Sequence, residues 1–197
     1  RLAPREAEVA VLYADLAGFT RISEVVLQAP AAIGRLVDIW SEAVVQAIWA
    51  TGGVFDKMVG DCVIALWGPP YFDLTPRDAC RSALRAALDI RSLTATLPRD
   101  PRLPELAPLE GAIGVATGLN FAPLYVGLFG PNHDFTGFSS GMNATARLQG
   151  LAERDEILAL EPFVRAGDLG PRFGDPLEKP VKNVSEPLRY RRLVDPR

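Results

Sequence analysis

The sequence predicts an α+β fold: a ferredoxin-like antiparallel sheet with helices packed on one face and a β-hairpin arm. Three observations predict it. Short apolar runs alternate with longer segments whose apolar residues recur at helical spacing. Two of the short runs adjoin across a Gly-Asp pair, as the strands of a hairpin do. The order of elements is strand, helices, hairpin, helix, strand, arm, helix, strand, which follows the β-α-β-β-α-β plan. The 197 residues make one domain, residues 1–197, with a core of about 9–160 and a tail, 168–197, that completes the sheet.

Val9–Leu16 (VAVLYADL) reads as a buried strand that ends at an acidic residue. Gly18 breaks it, and Thr20 or Ser23 is expected to cap the next helix. Ala31–Ala50 follows, with Ile33, Leu36, Val37, Trp40, Val44, Val45 and Ile48 on one broad face. Gly52-Gly53 ends it. Val54–Val59 and Cys62–Trp67 form the hairpin around Gly60-Asp61, and Gly68-Pro69-Pro70 stops it. Pro76–Leu97 is a helix with Ala79, Leu84, Ala87, Leu88 and Ile90 inward. Residues 98–108 hold four prolines and read as a loop. Glu110–Thr117 reads as a strand, Leu119–Phe138 as a long arm, Met142–Leu151 as a helix, Glu156–Leu160 as a strand. A last strand is expected at Leu188–Val194 in a Pro- and charge-rich tail. No internal repeat and no low-complexity segment is present.

Composition narrows the function classes. Hydrophobic residues make up 48%, too many for a disordered chain. The formal charge of −3 argues against a nucleic-acid surface. It leaves a nucleotide open, because metal ions can bridge an acidic site and a polyphosphate. No apolar run reaches the roughly 18 residues of a membrane span, so this domain is expected to make no membrane contact. Two cysteines, Cys62 and Cys80, build neither a disulfide framework nor a zinc site, which fits a reducing, cytoplasmic setting. The chain starts at Arg1, and the expectation is a fragment with a sensor or membrane region upstream.

Asp15 is the first unusual residue, since aspartate is depleted in strands and costly to bury alone. It either caps the turn toward Gly18-Phe19-Thr20 or serves as a metal ligand beside a helix N-terminus that can take phosphate oxygens. Asp61 in FDKMVGD is good turn chemistry by itself. If β-pairing brings it to Asp15, two hard oxygen ligands meet, which suits Mg²⁺ or Mn²⁺. Asn143 and Arg147, four apart, share a helix face. The planar guanidinium of arginine suits phosphoryl charge.

These segments resemble the class III adenylyl and guanylyl cyclases. Tyr13–Thr20 (YADLAGFT) looks like their first metal motif, and Gly53 to Gly68 like their second metal hairpin. Phe135 to Leu148 (FTGFSSGMNATARL) looks like their substrate and transition-state segment. The likeness runs from about Val9 to Leu160. It implies Asp15 and Asp61 as metal-binding aspartates for two ions per site, Mg²⁺ or Mn²⁺, with Leu16 in the metal set and Phe19 and Thr20 in the substrate set. It implies Lys57 and Thr136 at the purine edge, Asn143 at the ribose and Arg147 at the transition state. Lys182 resembles a tail lysine that reaches the terminal phosphates, though Asn183 stands where glycine is usual.

Lysine with threonine at the base implies ATP as substrate, where guanylyl cyclases place Glu and Cys. The physics agrees, since lysine only donates and the N1 of adenine accepts, whereas the N1 of guanine carries a hydrogen. The implied product is 3′,5′-cyclic AMP, formed by a homodimer whose two chains share each site, with the arm at the dimer contact. The sequence also departs from the family. Ser139 stands where a glycine is usual, no basic residue stands at Pro131-Asn132, and the arm is longer than usual. His133 reads as a loop residue rather than a base. Guanylyl or mixed specificity, and a silent nucleotide-binding regulatory domain, remain the alternatives. A diguanylate cyclase is disfavoured because the turn is Val59-Gly60-Asp61-Cys62.

Overall fold

The computed structural model describes residues 3–70, 72–131, 134–180 and 187–194. Lys182 and His133 lie outside them. One sheet organises the chain, with strand order β2-β3-β1-β4-β6-β8-β7 and β5 paired to β4. Its first four strands are β1 (Arg5–Leu16), β2 (Val54–Val59), β3 (Cys62–Trp67) and β4 (Val115–Phe129). They run antiparallel in the order β2-β3-β1-β4, which is the ferredoxin-like arrangement. β4 then pairs in parallel with β6 (Ile157–Leu160). β8 (Leu188–Arg192) and β7 (Leu177–Lys179) extend that edge antiparallel.

Strand alternation divides β1 between the two faces of the sheet. Ala10, Leu12, Ala14 and Leu16 enter the main core, while Val9 and Val11 enter a smaller cluster on the other side. The main core lies under α2 (Pro30–Ala50) and α3 (Pro76–Thr96). α2 offers Leu36, Trp40, Val44 and Ile48 at helical spacing, all fully buried. Trp40 Nε1 donates to Thr94 Oγ1 at 3.0 Å, which pins the two helices together and satisfies a buried donor. Thr75 caps α3, its hydroxyl accepting from Asp78 N at 3.1 Å.

The structure departs from the sequence reading in several places. Helices lie on both faces: α4 (Ser140–Gln149) packs on the side opposite α2 and α3, where Met142 joins Val9, Val11 and Leu124. Glu110–Gly114 is turn, not strand, because Gly111 has a φ of 73° and Ala112 N donates to Leu109 O at 2.8 Å. Its apolar Ile113 plugs the core from that turn. The strand proper starts at Val115 and runs unbroken into the arm, which closes on β5 (Asp134–Phe138). Residues 98–108 are partly wound into 3₁₀ turns. Neither Thr20 nor Ser23 caps the helix after β1. Gly18, with φ 75°, leads into α1 (Phe19–Arg21), and Ser23 Oγ instead donates to Thr20 O at 2.9 Å. α1 continues into a wider π turn at Ile22–Leu27. α5 (Glu161–Ala166) and β7 were not expected at all.

Gly53 carries one packing constraint that a single methyl tests. A Cβ there would overlap the Trp67 ring, which is fully buried and whose Nε1 donates to Thr51 Oγ1 at 3.2 Å. Gly53→Ala is therefore expected to destabilise the chain by about 1–3 kcal/mol, the usual cost of overpacking. Urea unfolding with unchanged midpoint would show that the ring moves aside freely.

Candidate active site

The hairpin and β1 build the acidic end of the sheet together. Gly60 has a φ of 64° and Asp61 a negative one, the sign pattern of a type II′ turn. That two-residue turn fixes the pairing Val59↔Cys62. The register of β3 on β1 then sets Cys62 opposite Asp15. Asp61 is one residue further on, so its carboxyl meets that of Asp15. Asp15 continues the odd-numbered series of β1, so it faces away from α2 and α3.

The two carboxyl groups are close enough to share a hydrogen bond. Asp15 is pushed up to about 7 from its ordinary value of 3.8, first by burial, then by its hydrogen bond to Asp61 and by that residue's charge. Gln149, from the last turn of α4, hydrogen-bonds Asp15 and partly opposes the rise. Cys62 between them is pushed up to about 12 by burial and by the two acids, so it stays a neutral thiol. Leu16 follows with its side chain in the core, so only its main-chain carbonyl can face a ligand. Among the described residues no group of three or more His, Cys, Asp or Glu is arranged so that it could hold a metal ion.

A cavity of about 810 Å³ opens beside Asp15. Gly18, Arg21, Gln149 and Arg154 help to line it. Thr20 is exposed and Phe19 half-buried at the start of α1, next to this opening. Arg21 and Arg154 give it positive charge, and Arg154 Nη1 donates to Ala112 O at 2.7 Å.

A second cluster forms on the outer side of the hairpin. Lys57 Nζ donates to Thr136 Oγ1 at 2.8 Å, across 79 residues of sequence. Thr136 reaches it because β5 folds back on β4, with Gly127 opposite Thr136. Asp56 joins them. The ladder is irregular between Phe55 and Lys57, so Asp56 bulges out of the pairing. Its side chain is wholly buried, with Lys57 Nζ 3.6 Å from Oδ2. Tyr13, half-buried on the same face, is pushed up to about 12 by burial, then by Cys62 and Asp56.

Asn143 and Arg147 sit on α4, whose N-terminus is capped by Ser139 Oγ accepting from Met142 N at 3.3 Å. Gly141 is required there, because a Cβ would overlap that of Ala122. Met142, Thr145 and Leu148 point into the protein, leaving Asn143 exposed and Arg147 half-buried on the outward face. Thus the structure joins Asp15 to Asp61 and Lys57 to Thr136. No described contact ties Asn143 or Arg147 to either pair. Sequence reasoning missed Gln149, Asp56, Arg21 and Arg154. Asp56 had a signal, an acid between two apolar residues and a lysine in a strand, but alternation alone assigns it to the wrong face.

No family model matches the chain. It is 30% identical over 186 residues to Adenylate cyclase 2 of Rhizobium meliloti (strain 1021), covering 85% of this chain and 46% of that protein. The chain thus spans less than half the length of that relative. Among solved structures it is similar to the adenylyl cyclase CyaB from P. aeruginosa, with a TM-score of 0.82 and 24% identity, covering 100% of this chain and 98% of the other. It is also similar to the guanylyl cyclase Cya2, with a TM-score of 0.81 and 20% identity, covering 96% and 93%.

The carboxylate pair makes a prediction for the protein without divalent ions. Asp15 holds its proton up to about pH 7 when folded, but only to its ordinary 3.8 when unfolded. Between those values the folded chain binds more protons, so the pair's contribution to stability falls as pH rises. Urea unfolding in chelator is expected to show this fall, and Asp61→Asn is expected to flatten it. Parallel pH curves for the two proteins would remove the pair from the account.

Proposed function

On the premise that the chain has the catalytic-domain fold of the class III nucleotide cyclases, we propose that it is an adenylate cyclase, converting ATP to 3′,5′-cyclic AMP and pyrophosphate. The observation that carries the choice of adenine is the hydrogen bond from Lys57 to Thr136. A lysine fixed at that point offers N–H groups to the N1 of adenine, and leaving them unpaired against guanine costs on the order of 1–3 kcal/mol.

Asp15 and Asp61 are the residues that would hold Mg²⁺ or Mn²⁺, two ions per site, with the Leu16 carbonyl beside them. Their chemistry fits: two half-buried acids crowded until one retains its proton near neutrality form a site short of positive charge. Divalent ions bound there supply charge that acidifies the ribose 3′ hydroxyl and grips the triphosphate. The chain's own residues do the rest. Lys57 and Thr136 fix the base, and Asn143 fixes the ribose in reach of the α-phosphorus. The 3′ oxygen forms a bond to that phosphorus as the bond to the pyrophosphate oxygen breaks, and the 3′ proton leaves to solvent. Arg147 neutralises the charge that grows meanwhile. The cavity beside Asp15, lined in part by Gly18 and Arg21, suits the triphosphate, with Phe19 and Thr20 assigned to the substrate and Lys182 to the terminal phosphates.

A homodimer belongs to this reading. Among the described residues no hydrogen bond or ion pair joins the carboxylate pair, the Lys57–Thr136 pair and Arg147, and in this reading each site draws the acids from one copy and the rest from the other. Aromatic residues on the arm support a contact there: Tyr125 is 47% and Phe138 55% exposed, and the Phe129 and Phe138 rings meet edge to face at 5.1 Å. A sensor or membrane region elsewhere in a longer chain would act by changing how the two copies meet. No helix among the described residues is long and apolar enough to cross a membrane.

Assays with ATP and GTP, each with Mg²⁺ and Mn²⁺, are expected to give cyclic AMP from ATP in excess of cyclic GMP from GTP. Equal rates would replace this reading with a mixed-specificity cyclase, and nucleotide binding without product would leave a silent regulatory domain. Asp15→Ala or Asp61→Ala is expected to lower kcat by at least about a thousandfold, the scale of lost electrostatic stabilisation, with the fold intact by circular dichroism. Asp15→Ala and Arg147→Ala proteins, each inactive, are expected to regain activity on mixing. Mixed dimers that stay inactive would exclude the shared site.

A further inference from the structure

Asp56 is a buried carboxylate that the sheet does not need. The ladder pairs Phe55 with Ala65 and Lys57 with Ile64, so Asp56 is the one residue of β2 without a partner opposite it on β3. Phe55 and Met58 pack against the main core with or without it. Both of its carboxylate oxygens are buried and lack a partner at full hydrogen-bond geometry. An unsatisfied buried acid costs stability, so its place asks for a reason outside folding.

The reason lies in its neighbours. Thr136 Oγ1 accepts a hydrogen bond from Lys57 Nζ at 2.8 Å. Lysine has no acceptor, so that bond occupies one of the two lone pairs of the hydroxyl and leaves its hydrogen to be placed. Asp56 is the acceptor at hand. Its Oδ2 lies 3.6 Å from the same Lys57 Nζ. The Thr136 hydroxyl is near enough to act on it: burial raises the Asp56 pKa, and hydrogen bonding from Thr136, followed by the Lys57 charge, lowers it. A carboxylate only accepts, so Asp56, which flanks the same ammonium as Thr136, is the group toward which that hydrogen can turn. The second lone pair of Thr136 is then what remains for a ligand.

We infer that Asp56 is a positioning residue that orients the Thr136 hydroxyl, making it a hydrogen-bond acceptor toward the purine and so a selector of adenine. This rests on the adenylate cyclase reading above. The 6-amino group of adenine donates and meets that lone pair. The 6-oxo group of guanine accepts and meets it as a repulsion. The bulge is what allows this, since it puts two successive residues, Asp56 and Lys57, beside one threonine.

The test compares equilibrium binding of 3′-deoxy-ATP and 3′-deoxy-GTP, which cannot cyclise, together with kcat and KM for ATP and GTP. Asp56→Asn keeps the shape but can donate to Thr136, which frees the hydroxyl hydrogen for an acceptor on the base. The preference for adenine is expected to fall about tenfold, the scale of one mismatched buried hydrogen bond. The change should lie in KM and the dissociation constant more than in kcat, because the base contact is made equally before and during reaction. Asp56→Ala removes the acceptor without adding a donor, and about a threefold fall is expected. Neither change should lower the melting temperature, which separates this role from a structural one. In a Thr136→Val background, Asp56→Asn is expected to leave the preference unchanged, since the group it acts through is gone. An unchanged preference in both Asp56 variants, while Lys57→Ala alters it, overturns the inference and keeps the adenine reading. An unchanged preference in Lys57→Ala as well overturns that reading. Equal loss of both nucleotides with a lowered melting temperature reassigns Asp56 to folding.

Discussion

The register of β1 against β3 governs the acidic end of this protein. With Cys62 opposite Asp15, the turn residue Asp61 has nowhere to be but beside Asp15. A slip of one residue would turn Asp15 toward the helices and send Leu12 and Leu16 to the outer face. The register is held from both sides. β1 pairs with β4 along its whole length, from Arg5↔Val126 to Leu16↔Val115. The Gly60-Asp61 turn admits no slack in the hairpin. Two acids that repel one another are thus kept together by hydrophobic strands whose pairing cannot yield to them.

The two faces of the sheet divide the work. One is covered by α2, α3 and α5 and holds the large core. The other carries α4, the arm and a smaller apolar cluster, and the polar groups of interest are on it: Asp15, Lys57, Asp56, Thr136 and Tyr13. Stability is concentrated on the first face, so the second can tolerate buried charge, a carboxylate without a full hydrogen bond and exposed aromatics. Proteins generally place such costly groups where function requires them.

Much of this was legible in the sequence because it rests on short-range rules. Period-two and period-3.6 patterns located the hairpin, α2 and α3 to within a residue or two. Gly60-Asp61 announced its turn, and the odd-numbered series Val9, Val11, Tyr13 already carried Asp15. What escaped depended on tertiary context. Ile113 looked like strand because it is apolar, yet it is buried from a turn. α4 lies on the far face, which no local pattern encodes. Gln149 reaches Asp15 only because Gly118 lets α4 approach β4 closely; a Cβ there would crowd the Gln149 backbone. Asp56 was missed for a simpler reason: a bulge breaks the alternation from which faces are read.

That bulge has a mechanical consequence. An extra residue in one strand of a pair increases the local right-handed twist and bends the strand. Only three residues separate Asp56 from Gly60, where the turn begins. Deleting residue 56 would leave a regular ladder from Val54↔Leu66 to Val59↔Cys62 with every apolar pair intact. Yet the straightened hairpin would swing its tip relative to β1, and Asp61 rides on that tip. The Asp56–Lys57 cluster and the acidic pair are therefore the two ends of one short lever, and a change in the chain's length at its pivot would be felt at both.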